Sequence, residues 1–222
     1  MITLPCYPIY PGVGPIHPLP LGGIMNQFIF EFLKLSAILV VVACITQIIN
    51  VVMKKRGFRV NCLSNHLILL LFSTILFLVG GLSIWMVKGI IFAWILLFAS
   101  VQDLSTREAD DFLWVMLLIL SLVNFNTGSI VSMLVGALVI FVPQMAIAMF
   151  GKIGGIGGAD IKISTAAALL LGFWSGIIGY LIGLLFAIVF TLIYNKVKHI
   201  ENDKSFALMP FLSVGLMIGY LI

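Results

Sequence analysis

Charge is what this sequence has least of. Of its 222 residues only 9% are Asp, Glu, Lys or Arg, against 62% hydrophobic, whereas a water-soluble surface needs about a quarter charged residues. That excludes a soluble globular domain, and the high apolar content excludes a disordered chain. Cysteine is scarce as well. Cys6, Cys44 and Cys62 form no CxxC pair and have no metal-ligand spacing, which argues against a disulfide or zinc framework. The three histidines offer no nucleophilic pairing. His17 falls in a Pro-rich stretch, His66 begins a helical run and His199 lies in a basic loop, so each reads as a solvent or headgroup contact. Internal repeats are also lacking.

Long apolar runs fill the space that charge leaves. The mean hydropathy is +1.25, and runs near 20 residues match the length that spans a bilayer as a helix. Residues 1–28 hold six of the eight prolines and read as an irregular tail without the basic start and cleavage site of a signal peptide; Met25 offers an alternative start. Residues 29–222 then read as one all-α, polytopic membrane domain. Its apolar segments run roughly 29–53, 65–84, 88–101, 112–125, 129–150, 161–174, 177–194 and 206–222, about eight transmembrane helices. As one helix, 161–194 would extend about 50 Å, too long for a single crossing. Gly172, Gly176 and Gly179 predict a turn there, although Gly172/Gly176 and Gly179/Gly183 also fit small-residue helix packing.

The net charge of +4 follows topology, not a nucleic-acid surface, because the cations punctuate the apolar runs. With the N-terminus outside, loops 54–64, 102–111, 151–162 and 195–205 all fall inside. They carry ten of the twelve cations and leave Lys34 and Lys88 outside, as the positive-inside rule requires. A single crossing at 161–194 would send the cations Lys196, Lys198 and Lys204 to the wrong side.

The acids are sided too. Glu31 lies near the outer face, whereas Asp103, Glu108, Asp110, Asp111, Asp160, Glu201 and Asp203 lie in inner loops or helix ends. Asp103 directly follows the apolar run FAWILLFASVQ, and Asp160 follows GGIGGA and opens the next apolar run. A carboxylate at such a position is partly desolvated and is a functional candidate by default. Taken singly, each could be an interfacial acid paired with a nearby cation, Arg107 or Lys162. Taken together, they are 57 residues apart and are returned by two crossings to one membrane depth, the arrangement a carboxylate dyad needs. The segment Gly154-Gly155-Ile156-Gly157-Gly158-Ala159 allows either a plain turn or close docking of an extended peptide, and its register is not that of a Walker loop.

These segments carry a resemblance. GGIGGADIKISTAAALLLG resembles the GxGD signature of the type IV prepilin peptidase and preflagellin peptidase family of membrane aspartyl proteases. DLSTREADDFLW resembles that family's other catalytic segment, and FALMPFLSVGLMIG its C-terminal Pro-Phe-Leu helix. The match covers about 100–222, with 65–100 compatible in hydropathy alone, and implies a peptidase core at about 88–222. By this resemblance Asp103 and Asp160 are the catalytic pair, Gly157 and Gly158 belong to the loop carrying the second Asp, and Arg107 and Lys162 orient the pair or tune its protonation. Ala159 departs from the signature Gly but is similar to the GGAD form of preflagellin peptidases. Many bacterial members carry two CxxC pairs in a cytosolic loop and methylate the new N-terminus, whereas loop 54–64 has only Cys62. The expectation is therefore no metal, no cofactor and no methyltransferase activity.

The resemblance implies a membrane-embedded aspartic endopeptidase of the inner cell membrane that cleaves the leader of prepilin-like precursors at the cytoplasmic face. Its partners would be those precursors and the lipid bilayer, with no nucleic acid, and its oligomeric state is open. Two other classes also fit the residues. One is an ion-coupled transporter using the Asp pair and a broken helix; the other is a non-catalytic scaffold.

Overall fold

The computed structural model describes residues 21–123, 127–150, 157–198 and 207–222. The Pro-rich tail with Cys6 and His17, the residues Lys152, Gly154 and Gly155, and the charged stretch around His199, Glu201, Asp203 and Lys204 lie outside them. The chain divides into two compact units, residues 1–37 and 38–222. Within the first, Lys34 pairs with Glu31 at 2.8 Å and its ammonium lies over the Phe30 ring.

The described residues are all-α, as the hydropathy predicts. The helices are α1 (Leu21–Lys55), α2 (Cys62–Gly80), α3 (Ile84–Thr106), α4 (Phe112–Ser121), α5 (Ile130–Phe150), α6 (Gly158–Leu171), α7 (Phe173–Lys198) and α8 (Met209–Leu221), with one 3-10 turn at Thr127–Ser129. Each expected apolar segment corresponds to one helix. Five helices, α1, α2, α3, α5 and α7, contain stretches long and apolar enough to cross a membrane, which makes the chain a multi-pass membrane protein. The other three have 10, 14 and 13 residues. They reach only about 15, 21 and 20 Å, short of the roughly 30 Å hydrocarbon core, and cannot span it unaided.

The turn expected inside 161–194 falls at Gly172. Its N–H closes α6 on the Ala168 carbonyl at 2.8 Å, and its φ is +83°, a left-handed backbone that glycine adopts without a Cβ penalty. α7 then folds back against α6, and Ser132 of α5 accepts the Phe173 N–H at 3.0 Å. Farther along, α7 and α8 meet through Gly179 and Gly183 on one side and Gly215 and Gly219 on the other. A Cβ on Gly215 would strike the backbone of both α7 glycines. Lipid offers helices no hydrophobic reason to associate, so this backbone proximity supplies dispersion contacts instead.

α3 is the most enclosed span, burying Phe92, Ala93, Leu96 and Ala99. It is keyed to α8 at several levels. The Tyr220 ring stacks on Trp85 and Phe92 and its hydroxyl donates to the Trp85 carbonyl at 2.6 Å. One level further, Ser100 and Ser213 share a hydrogen bond at 2.7 Å and both reach the Leu96 carbonyl.

One sequence reading changes here. His66 is not a free headgroup contact. It lies half-buried beside Asn50 and the Cys62 carbonyl, with Asn65 donating to Asn50 at 2.8 Å, so it joins a polar cluster linking α1 and α2. Pro210 stands in the first turn of α8, where a missing N–H costs nothing. Pro143 does lie inside α5.

Three of the loops expected on one side do meet at one end. The Arg59 N–H reaches Ser105 at 3.2 Å, Arg56 pairs with Asp110 at 3.1 Å, and Lys162 pairs with Asp111 at 2.6 Å. Lys88, expected on the opposite side, starts α3 about 22 Å along the axis from Asp103. Its ammonium donates to the Val123 carbonyl at 3.0 Å, a cation at the C-terminal end of α4 where the helix dipole favours one.

Candidate active site

Asp103 occupies the last turn of α3, and its carboxylate is buried. The first N–H groups of a helix have no partner within it, and Leu208, the residue preceding α8, supplies no side-chain cap. Asp103 fills that role from another helix, accepting the Met209 N–H at 2.9 Å. Its anionic oxygen thus faces the positive end of the α8 dipole. α3 ends one turn later at Arg107, whose φ of 62° is left-handed and whose N–H closes on the Asp103 carbonyl at 3.0 Å. The Arg107 charge acts on the Asp103 carboxylate.

Asp160 sits in the first turn of α6, outside the five long spans. Its carboxylate lies beside Gly157, whose N–H favours the charged form, the placement of one arm of a capping box. Space is tight there: a Cβ on Gly157 would lie 3.1 Å from Asp160 Oδ2. At Gly158 a Cβ would meet nothing within 4 Å, so the face beside the acid is open. Burial first, and the negative charge of Asp103 second, push the Asp160 carboxyl up from 3.8 to about 7, against the Gly157 N–H, which pulls it down.

The two acids singled out in the sequence are thereby brought within electrostatic reach of each other, each at the N-terminal end of a helix. Lys162 goes elsewhere. Its ammonium binds Asp111, immediately before α4, and so ties α4 to the first turn of α6. Asp110 is held by Gln102, the neighbour of Asp103, at 2.6 Å, and its N–H returns a bond to the Gln102 oxygen.

Sequence reading passed over a second layer around Asp160. Gln144 of α5 and Ser164 of α6 are 2% and 0% exposed and hydrogen-bonded to each other at 2.9 Å. Ser164 also donates to the Asp160 carbonyl at 2.7 Å. Tyr180 of α7 lies in the field of Asp160. The available signal was a glutamine in the middle of an apolar run beside Pro143, an intramembrane polar group that needs a partner. Among the described residues no three His, Cys, Asp or Glu side chains gather as a metal site.

The fold and this end of the helices define a class: a multi-pass helical membrane protein carrying two electrostatically coupled acids beneath an open glycine face. Residues 90–194 match the model of the type IV leader peptidase family. The match contains Asp103, Arg107, Gly157, Gly158, Asp160 and Lys162. No curated protein and no solved structure matched the chain.

Proposed function

We propose that the chain is an aspartic endopeptidase that removes the leader of type IV prepilin-like precursors at the cytoplasmic face of the inner cell membrane, with Asp103 and Asp160 as its catalytic pair. The observation that carries this reading is the coupling of the two acids: burial first, and the charge of Asp103 second, raise the cost of ionising Asp160, which keeps a proton near neutral pH. Like charges in one site cannot both ionise easily. Asp103, facing the Met209 N–H and the Arg107 charge, is the ionised partner. It takes a proton from a water whose oxygen attacks the scissile carbonyl. Asp160 polarises that carbonyl by hydrogen bonding, and the proton then passes to the leaving amine. The open face at Gly158 leaves room for an extended leader junction. Arg107 orients Asp103, and Lys162 orients α6 through Asp111.

Sidedness is supported by the ten cations that the positive-inside pattern of the sequence assigns to one side. The precursor's apolar helix stays in the bilayer while its leader junction enters. The peptidase core runs from about 88 to 222, within a single membrane domain from 29. Neither zinc nor a methyl donor takes part. The transporter reading is not favoured by the family match.

The test is cleavage of a pilin-like precursor by the purified chain in detergent, where no gradient exists, with a chelator present. Cleavage is expected to proceed and to leave an unmethylated N-terminus. Absence of cleavage by a folded chain across pilin, pseudopilin and flagellin-like precursors would overturn the reading.

A further inference from the structure

Gln102 stands beside Asp103 near the end of α3 and is 1% exposed. A buried amide costs free energy unless its donor and acceptor sides are engaged, and here both sides are taken by one residue. The Gln102 amide N–H donates to Asp110 Oδ2 at 2.6 Å, and the Asp110 backbone N–H donates to Gln102 Oε1 at 3.1 Å. A carboxylate can only accept and a backbone N–H can only donate, so the amide has one orientation. The two bonds close a ring around the segment 103–110, which begins with the acid.

That segment holds a backbone conformation it would not keep unaided. Arg107 ends α3 at a φ of 62°, and among the described residues it is the one position other than glycine with a positive φ. Such a residue persists where its surroundings over-determine it. Its N–H bonds back to the Asp103 carbonyl at 3.0 Å, and the Thr106 hydroxyl donates between the carbonyls of Gln102 and Glu108, each at 3.0 Å. Asp110 is also held from outside. Arg56, in the turn after α1, donates to the same Oδ2 at 3.1 Å and lies over the Phe112 ring. The Phe98 ring, edge-on to both Phe112 and Phe58, extends that contact into the loop 54–64.

A surface loop can hydrate its own polar groups and needs no buried amide to close it. What the amide does supply is a fixed end for α3. With the ring closed, Asp103 turns away from the Met209 N–H only if the bonds of its neighbour break, and a displacement of about 1 Å at a reacting group is felt in rate.

We infer that Gln102 and Asp110 are positioning residues for Asp103, their reciprocal hydrogen bonds closing the segment 103–110 and holding the acid and Arg107 at the end of α3. This inference rests on the peptidase reading above. Neither residue touches the scissile bond; both act through Asp103.

The test compares Asp110→Ala, Asp110→Asn, Gln102→Met, Arg56→Gln and Asp103→Asn in the full chain on one precursor, reading kcat per folded enzyme, KM and the melting temperature. Asp110→Ala removes the acceptor of the Gln102 amide by a change at an exposed position. It is expected to lower kcat about tenfold with KM within about twofold, the split that a misplaced reacting group gives. Asp110→Asn keeps an oxygen for Gln102 and loses only the charge, so it is expected to hold kcat within about threefold of the wild type. Arg56→Gln should also stay within about threefold, since an exposed ion pair contributes little. Gln102→Met should match Asp110→Ala, and if it fails to fold, the two Asp110 variants decide alone. If Asp103→Asn is inactive while Asp110→Ala keeps the wild-type kcat, whatever its melting temperature, the inference is wrong and the peptidase reading stands. Equal loss of kcat in Asp110→Ala and Asp110→Asn would assign the effect to charge and overturn the inference as well. If Asp103→Asn remains active, the reading itself fails and the inference falls with it.

Discussion

The Asp103 carboxylate accepts the backbone N–H of Met209 at 2.9 Å, so an acid in the last turn of one helix serves as the missing cap of another that begins 106 residues later. Capping alone would explain its burial, and an N-terminal Asp is commonly worth about 1 kcal/mol for that reason. What capping does not explain is the second acid. Asp160 lies near enough to feel the charge of Asp103, and two caps that repel one another are a poor structural device. The Ser100–Ser213 bond, one turn below, holds the two helices in the register that brings Met209 to Asp103.

The burial of Asp160, with the repulsion added to it, has a consequence for stability. The Asp160 carboxyl sits at about 7 in the folded chain against 3.8 unfolded. Between these values the folded state binds the extra proton, so the stabilising contribution is full below about pH 4 and is lost as pH rises through about 7. Asp160→Asn removes the cost of that charge. The variant is expected to melt a few degrees above the wild type in detergent at pH 8, with the gap closing at pH 5. A variant less stable than the wild type at pH 8 would contradict that cost.

The glycines on either side of the α6 start should separate cleanly. Gly157→Ala puts a methyl 3.1 Å from Asp160 Oδ2, displacing the acid, and cleavage should fall about tenfold or more, as small displacements of reacting groups do. Gly158→Ala meets open space and replaces a poor helix former at a first helical position. It should keep activity within about threefold. Equal loss in both variants, measured as kcat/KM on one precursor, would remove the distinction.

How far the sequence carried can be judged residue by residue. The reversal at Gly172 was legible because a 34-residue apolar stretch cannot be one crossing, and glycine marks the place. The pairing of Asp103 with Asp160 was legible from siding, since two acids at the inner ends of apolar runs share a depth. The Met209 N–H was not, because a backbone donor at a helix start leaves no side-chain trace. Lys162 read as a neighbour of Asp160, two residues away, yet its long side chain finds Asp111 on α4. His66 read as exposed because its partner Asn50 lies 16 residues earlier, on another helix. Hydropathy marks where apolar segments lie and only loosely where their helices begin and end, which is why α4 and α8 come out shorter than their segments and α6 starts earlier than its own.

Sidedness can be read on a cysteine. Cys62 opens α2 beside the loop whose Arg56 and Arg59 are bonded to the loop following Asp103, so it marks the same end of the protein as the acids. A membrane-impermeant thiol reagent applied to intact cells is expected to miss Cys62 and to modify it after lysis. Modification before lysis would place the acids outside and overturn cytoplasmic cleavage.

The decisive measurement is on the acids themselves. Asp103→Asn preserves size and leaves an oxygen that can still accept the Met209 N–H, so the α8 cap survives and a purely structural residue would lose little. Asp160→Asn likewise leaves an acceptor for Gly157. If the acids form a dyad, neither change is tolerated, since activating water needs one ionised and one protonated carboxyl. Each variant should lose cleavage by a factor of about a thousand or more while remaining inserted and folded. The wild type should show a bell-shaped pH profile whose two apparent pKa values belong to the pair. Glu108→Gln, outside the pair, should retain substantial activity. Asp111→Asn loses the charge that holds Lys162 at 2.6 Å, but both partners are largely exposed, where such a pair contributes only about 0.2–1 kcal/mol, so it too should remain active. An Asp160→Asn chain that processed a precursor at a rate near wild type would remove the aspartic mechanism and leave the transporter and scaffold readings to be tested in its place.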